Sequence, residues 1–323
     1  MQVFDHNQQS KFLADMLGAG GEGNVYPLRD RSDVIVKIYH PEKLDKYRTN
    51  FQRKIEVMVR AAKVKKTPEG MSWPLMSVFN DQQQWIGYAM YRAQGKPMRN
   101  IAHAMAYQQH FPNLDRIAVV GYLLSFLSKV EKLHQRGVFI GDYNLNNFLC
   151  ATDKHEVSLI DCDSYQVTVE GQHYPCPVGS PDLTPIEHHG KDFNQVIRNE
   201  LSERFSIAIV LFQCLMMGRH PYDVVGGDDP VTNMRNSQFA YGIGAQGIPR
   251  GPWYNIWSHM PYRLKNLFIT VFNQGVKDTS KRPTIAEWKK ELNIYLREMQ
   301  QGWHNTEIKP SKPKDKEYRG STA

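Results

Sequence analysis

Cysteine is scarce in this chain of 323 residues, and its four cysteines are scattered along the sequence. None of them belongs to a C-x-x-C pair, the spacing that is typical of zinc sites and redox motifs. Their positions also give no sign of a disulfide framework. We therefore expect free thiols in a reducing compartment at Cys150, Cys162, Cys176 and Cys214.

Long apolar runs are missing as well. No stretch approaches the roughly 18 to 20 apolar residues that a membrane-spanning helix requires. The first residues, MQVFDH, lack the basic and apolar character of a secretion leader. These absences predict a cytoplasmic protein that does not cross a membrane.

The charge is unbalanced, with 40 Lys and Arg against 33 Asp and Glu, and much of the basic excess lies between residues 43 and 66. A basic helix can contact nucleic acid, but a solvated helix face is the more common structure. We therefore do not expect a nucleic-acid partner. The remaining composition is that of a globular protein, and the length is sufficient for two lobes.

Two short apolar runs, residues 138–140 and 157–160, flank a group of polar residues. Asn147 follows Asp142 by five positions, and Asp161 follows Asp142 by nineteen. In phosphoryl transfer one carboxylate takes the proton of the attacking hydroxyl, while an amide and a second carboxylate hold Mg²⁺ on ATP. The spacing therefore predicts a phosphoryl-transfer site between two short strands. The alternative is ordinary turn chemistry, which Asp and Asn favour.

A glycine-rich segment lies near the N-terminus at residues 18–25, GAGGEGNV. Glycines let a backbone approach phosphates closely and tolerate positive φ angles. Dinucleotide-binding folds share this spacing. Residues 34–39, VIVKIY, argue against a dinucleotide-binding fold. They predict a strand that carries Lys37, whereas a dinucleotide-binding unit would begin a helix there.

Together these motifs resemble those of eukaryotic-like bacterial protein kinases, over roughly residues 12–297. The resemblance implies that Lys37 holds the α- and β-phosphates of ATP. It also implies that Glu56, on a helix predicted from residue 41 to residue 60, pairs with Lys37. These two residues and Asp142 would be the catalytic set.

The same resemblance implies the remaining site residues. Asp142 would be the catalytic base, while Asn147 and Asp161 would hold Mg²⁺. Met90 would be the gatekeeper, and the backbone of Tyr91 and Ala93 would face adenine. The residues expected to bind ATP are Leu17, Gly18, Ala19, Gly20, Gly21, Glu22, Gly23, Val25, Lys37, Met90, Tyr91 and Ala93.

The resemblance predicts an α+β fold with two lobes and long apolar helices at residues 114–134 and 203–217. Glu187 and Arg282 are expected to be buried together as an ion pair in the larger lobe. The predicted divisions are an N-terminal extension (1–11), a small β-rich N-lobe (12–93), a larger helical C-lobe (94–300) and a basic, disordered tail (301–323).

Several positions depart from the kinase pattern. Gly141 precedes the predicted base where kinases carry Arg, and Asn144 stands in the place of a Lys that steadies the transferring phosphate. Cys162 and Asp163 replace Phe and Gly, and Glu203 replaces an Asp. The predicted base, metal ligands and phosphate-binding lysine are all retained. Two alternatives stay open: a nucleotide-binding pseudokinase scaffold, and a small-molecule kinase of the aminoglycoside or choline sort.

The substrate and partners are expectations from the resemblance. Ser180 at the usual Thr position favours Ser or Thr of a protein substrate, with autophosphorylation. Residues 161–165 (DCDSY) and 239–242 (FAYG) resemble kinases of tellurite-resistance-type phosphorylation triads, which act beside a PP2C-type phosphatase and a von Willebrand A-like protein. Residues 224–261 are interpreted as a docking surface, with a passive insertion as the alternative.

Overall fold

The structure, a computed structural model, describes residues 1–64, 69–169, 171–242 and 247–314. The strands are β1 (Gln2–Phe4), β2 (Ser10–Phe12), β3 (Gly18–Ala19), β4 (Gly23–Pro27), β5 (Val34–Tyr39), β6 (Pro74–Phe79), β7 (Trp85–Tyr91), β8 (Lys96–Pro97), β9 (Phe148–Cys150), β10 (Val157–Leu159), β11 (Val167–Val169) and β12 (Gln172–Tyr174). The α-helices are α1 (Pro41–Val64), α2 (Ala106–His110), α3 (Arg116–His134), α4 (Glu200–Leu215), α5 (Pro230–Arg235), α6 (Trp253–His259), α7 (Tyr262–Asn273) and α8 (Ile285–Gln300).

The N-terminal part is built on a seven-stranded sheet in the order β2-β1-β6-β7-β5-β4-β3, and α1 packs against β6 and β7. The β-branched residues of β5 favour an extended chain. β5 pairs antiparallel with β7 so that Lys37 lies opposite Tyr88. Residues two apart on a strand share a face, so Tyr39 lies on the same side as these two residues. That side of the sheet faces the candidate site.

The sheet begins earlier than the predicted small lobe. β1 and β2 form a hairpin at its edge, and Phe4 pairs with Phe79 of β6. Val3 is fully buried in a small core that includes Leu13. The predicted division between residues 1–11 and the lobe therefore cuts through a hairpin, because the apolar burial of Val3 ties this segment to the sheet.

The C-terminal part is helical, and α3 and α4 lie at its centre. The side chain of Asp115 caps the first turn of α3, and Asn199 and Ser202 form a capping box at the start of α4. Most residues of both helices are buried. The predictions of long helices at residues 114–134 and 203–217 are confirmed. The described residues thus form a mixed α/β structure, with a sheet-rich N-terminal part and a helical C-terminal part.

The interpretation of residues 224–261 as a docking surface is not supported by its aromatic side chains. Tyr241 and Trp257 are buried, with ring centroids 5.3 and 6.2 Å from that of Phe212 in α4. An apolar helix such as α4 must be covered on all sides. Tyr241 and Trp257 contribute to that cover, whereas Tyr254 is half exposed. Residues 243–246 lie outside the described part of the chain.

The prediction of a disordered tail is wrong for residues 301–314. The backbone N–H of Arg116 donates to the Thr306 carbonyl at 2.8 Å, and its guanidinium donates to the Ile308 carbonyl at 3.0 Å. Asn255 of α6 donates to the Pro310 carbonyl. These contacts fix a polar segment along α3 and α6, whereas residues 315–323 lie outside the described residues. No helix among the described residues is long and apolar enough to span a membrane.

Candidate active site

The loop between α3 and β9 holds the predicted base, and Glu203 of α4 fixes its backbone. Gly141 has a φ angle of +74°, and its N–H donates to the Glu203 carboxylate at 2.7 Å. A Cβ at position 141 would lie 2.7 Å from both Arg198 Nε and Cys176 Sγ. Glycine is therefore needed here both for the backbone angle and for the close approach of Arg198.

Asp142, which follows Gly141, has a free hydrogen-bond acceptor. Its Oδ1 atom is buried and has no hydrogen-bond partner among the described residues. Burial raises the pKa of Asp142, an effect that the nearby Arg198 and a hydrogen bond from Ser180 oppose. A buried, unpartnered carboxylate oxygen with a raised pKa is suited to accept a proton.

The β9–β10 hairpin brings the two predicted metal ligands together. The Ile160 N–H donates to the Asn147 carbonyl at 2.9 Å, which places the residue before Asp161 directly beside Asn147. Asp161 itself has a left-handed backbone, with φ of +59°. Asn144, where kinases carry a Lys, instead caps the 3₁₀ turn Leu145–Asn147 through its side chain.

Lys37 reaches across from β5 to the loop after β10. Its Nζ atom lies 2.7 Å from Asp163 Oδ2, 3.0 Å from Asp161 Oδ1 and 3.2 Å from Glu22 Oε2. Although burial lowers it, these carboxylates hold the pKa of Lys37 well above its ordinary value. The structure thus joins the predicted phosphate-binding lysine to the predicted metal-binding carboxylate.

Glu56, the predicted partner of Lys37, is not among these three carboxylates. It accepts a hydrogen bond from Gln52 Nε2, at 2.8 Å, on the same helix. Helix α1 directs Lys54 towards the site instead, where its Nζ donates to the Pro175 carbonyl at 3.1 Å. Residues that are two apart in a helical sequence point about 200° apart around the helix axis. Glu56 therefore leaves α1 on the side opposite to Lys54.

Asp163 also belongs to this cluster, although the sequence did not predict it as a site residue. Tyr39 OH donates to its Oδ2 at 2.5 Å, and Tyr88 OH donates to its Oδ1 at 2.7 Å. Although burial opposes ionisation, Lys37 and the two hydroxyls hold the pKa of Asp163 below its ordinary value. Two features of the sequence point to this contact: Asp163 stands where kinases usually carry Gly, and Tyr39 lies two residues after Lys37.

The glycine-rich segment forms the β3–β4 hairpin beside Lys37. None of Gly18, Gly20 and Gly23 has a positive φ angle. A Cβ at Gly18 would meet nothing within 4 Å, whereas one at Gly23 would overlap the Ile38 carbonyl. The glycines near the tip therefore leave an open surface, and Gly23 allows β4 to pair closely with β5.

The predicted adenine contacts lie at the end of β7. Met90 is buried, while the side chain of Tyr91 is about half exposed. The Tyr91 carbonyl accepts a hydrogen bond from Ser72 Oγ at 3.0 Å. Ala93 is half-buried in the connection to β8. The contact of these groups with adenine stays a prediction.

No family model matches the chain. Protein kinase YegI of Escherichia coli (strain K12) is 28% identical to it over 305 residues, which are 91% of this chain and 46% of that relative. Protein kinase YegI of Escherichia coli O157:H7 is 28% identical over 295 residues, or 88% of this chain and 44% of the relative. The chain therefore spans less than half the length of these curated relatives. They support a bacterial kinase-like protein.

Two arginines hold the segment between Asp161 and α4 in this kinase-like chain. Arg282 donates to both carboxylate oxygens of Glu187, at 2.6 and 2.9 Å, which confirms the predicted pair. The Arg282 side chain is fully buried, while that of Glu187 is about a third exposed. Arg198 donates to the carbonyls of Cys176 and Val178, at 2.6 and 2.9 Å. The segment thus has a defined path beside Asp142.

Proposed function

We propose that this chain is an ATP- and Mg²⁺-dependent kinase that transfers the γ-phosphoryl group to Ser or Thr residues of proteins, its own included. The observation that carries the proposal is the 3.0 Å contact between Lys37 Nζ and Asp161 Oδ1. Phosphoryl transfer needs a phosphate-binding cation and a metal-binding carboxylate at the same phosphates. The kinase-named relatives support protein kinase activity in general.

The residues present fit a complex of Mg²⁺ and ATP. Mg²⁺ prefers oxygen ligands, and the Asn147 amide and Asp161 carboxylate would supply them. The Asp161 side chain is 36% exposed, so its oxygens are accessible. Burial and the neighbouring Asp163 carboxylate raise the pKa of Asp161. When bound, Mg²⁺ would neutralise charge on the phosphates, while Lys37 would orient them.

Asp142 would orient the acceptor hydroxyl and take its proton. Ser180, which lies near enough to Asp142 to lower its pKa, belongs to the segment that ends at Glu187. In kinases this segment positions peptide substrates, so its contact with the base supports a protein hydroxyl over a small alcohol as the acceptor. The residue type at position 180 supports Ser and Thr over Tyr.

Mass spectrometry of the intact protein and an added protein acceptor, after incubation with Mg²⁺–ATP, tests the proposal. We expect phosphoryl groups on Ser or Thr side chains, and none when EDTA removes the metal. Saturable nucleotide binding without transfer would contradict the proposal in favour of a pseudokinase scaffold. Transfer to a small alcohol such as choline, with none to protein, would contradict it in favour of a small-molecule kinase.

We also propose a PP2C-type phosphatase and a von Willebrand A-like protein as partners, on sequence resemblance alone. Phe239 and Tyr241, which contribute to that resemblance, are buried, so such partners would bind other residues. Co-purification of the three proteins tests this assignment, and separate elution at micromolar concentration would contradict it.

A further inference from the structure

Lys37 has one partner that differs from the others in burial and in number of contacts. We propose that Asp163, rather than Glu56, positions Lys37 for the nucleotide phosphates, an inference that rests on the kinase function proposed above. The Lys37–Asp163 contact, at 2.7 Å, is the shortest of the three that Lys37 makes with carboxylates. Asp163 is thus a positioning residue, which acts on the reaction through Lys37.

The three carboxylates around Lys37 divide into one fixed group and two accessible groups. Asp163 accepts hydrogen bonds from Lys37, Tyr39 and Tyr88, and its side chain is only 4% exposed. The side chains of Asp161 and Glu22 are each 36% exposed. Among the described residues, Lys37 is the only side chain that hydrogen-bonds to these two carboxylates. Both oxygens of Asp163 therefore accept hydrogen bonds, whereas among the described side chains only Lys37 donates to Asp161, at Oδ1, which leaves Oδ2 for a metal ion.

The sheet presents Lys37 and both tyrosines on one face. Tyr39 is two residues from Lys37 on β5, and Tyr88 lies directly opposite Lys37 on β7. The Tyr39 ring stacks on Phe51, with a centroid distance of 4.7 Å, and lies 5.5 Å from the Trp85 ring. Rings packed in this way hold their hydroxyl groups in place for Asp163.

The chain after β10 turns back so that Asp163 reaches the sheet. Asp161 has a left-handed backbone, and a 3₁₀ turn follows at Cys162–Ser164. The Ser164 N–H and hydroxyl both donate to the Asp161 carbonyl, at 3.1 and 2.8 Å. The carboxylate that anchors Lys37 is therefore presented by a tight turn after β10, and α1 does not supply it.

A kinetic double-mutant cycle tests this role. Asp163→Asn should lower kcat by about tenfold or more, because Lys37 loses its anchor. In a Lys37→Met background, Asp163→Asn should have no further effect, since Asp163 acts through Lys37. Asp153→Asn, at an exposed position, is the matched control. A large loss from Glu56→Gln, with little effect of Asp163→Asn, would overturn the inference. So would equal losses from Asp163→Asn in both backgrounds, the result expected for a merely structural role.

Urea unfolding of the same variants gives a readout that needs no activity. Lys37→Met leaves the buried Asp163 carboxylate without its cation, and Asp163→Asn removes the closest carboxylate from Lys37. The double variant should therefore lose less stability than the sum of the two. Strict additivity would overturn the inference. If wild type transfers no phosphate, the proposed function fails, and this cycle still decides whether Lys37 and Asp163 are coupled.

Discussion

Asp161 and Asp163 are separated by a single residue, yet their surroundings suit them to different tasks. Asp163 is buried and receives three hydrogen-bond donors, whereas Asp161 is about a third exposed and contacts only Lys37 among the described side chains. A metal ion needs accessible carboxylate oxygens. The surroundings thus support the proposal that Asp161 binds the metal and Asp163 positions the lysine.

Asp161→Ala should abolish phosphoryl transfer and weaken ATP binding in the presence of Mg²⁺, because a metal ligand is lost. In EDTA the same change should not weaken ATP binding, since it removes a negative charge from the phosphate site. Calorimetric titration of ATP in the two buffers measures both effects, with Asp153→Ala as the exposed control. Equal weakening with and without Mg²⁺ would show that Asp161 is not a metal ligand.

Because Lys54 is buried, we predict that the free energy of unfolding depends on pH. Burial lowers its pKa to about 8, compared with about 10.4 in an unfolded chain. At pH values between these two pKa values, Lys54 is protonated in the unfolded chain more than in the folded protein, so the stability of the fold rises with pH. The burial of the charged ammonium therefore destabilises the fold fully below pH 8, and this cost disappears as the pH rises. Relative to Lys54→Met, wild type should gain up to about 3 kcal/mol between pH 7.5 and 10, taking roughly 1.4 kcal/mol per pKa unit. Urea unfolding at several pH values measures the difference; a constant difference would contradict the assignment.

At the scale of elements, the segment from Asp161 to Glu187 is held by a buried cation. In kinases with Arg before the catalytic Asp, a phosphate on this segment is held partly by that Arg. Here Gly141 occupies the position, and the Arg198 guanidinium binds the carbonyls of Cys176 and Val178 directly. Arg198 therefore holds residues 176–178 without a phosphate.

We accordingly predict that the kinase does not need phosphorylation of this segment. Fully dephosphorylated protein should phosphorylate an added acceptor without a lag, and Thr168→Ala, in β11, should keep its activity. Arg198→Met should lower the rate in either state, because the carbonyls of Cys176 and Val178 lose their donors. The initial time course of transfer measures these rates. A long lag that ends with autophosphorylation would contradict the prediction.

At the scale of the whole molecule, local patterns could be predicted, whereas the distant Glu187–Arg282 contact was expected only from the resemblance to kinases and the Lys37–Asp163 contact was not expected. The spacing of Asp142, Asn147 and Asp161 is local and accompanies short strands, so the motif is visible in the sequence. The partner of Lys37 is 126 positions away along the chain. The choice between Glu56 and Asp163 depends on the rotation of α1 and on the β5–β7 register, which no local pattern specifies.

The C-terminal segment shows that composition alone does not predict long-range contacts. Its polar residues predicted disorder, yet its carbonyl groups bind the buried guanidinium of Arg116. A chain that ends at Asn305 should be less stable than one that ends at Lys314, which keeps these contacts, because a buried charge would lose its partners. Thermal unfolding of the two chains measures the difference, and equal melting temperatures would show that the segment contributes no stability.

The most direct test of the central claim is a comparison of wild type with Asp142→Asn. Asparagine preserves the shape of the side chain but cannot accept the proton of the attacking hydroxyl. We predict that Asp142→Asn binds Mg²⁺–ATP with nearly wild-type affinity and transfers phosphate to protein at least about a hundredfold more slowly. Wild-type transfer by this variant would contradict the account.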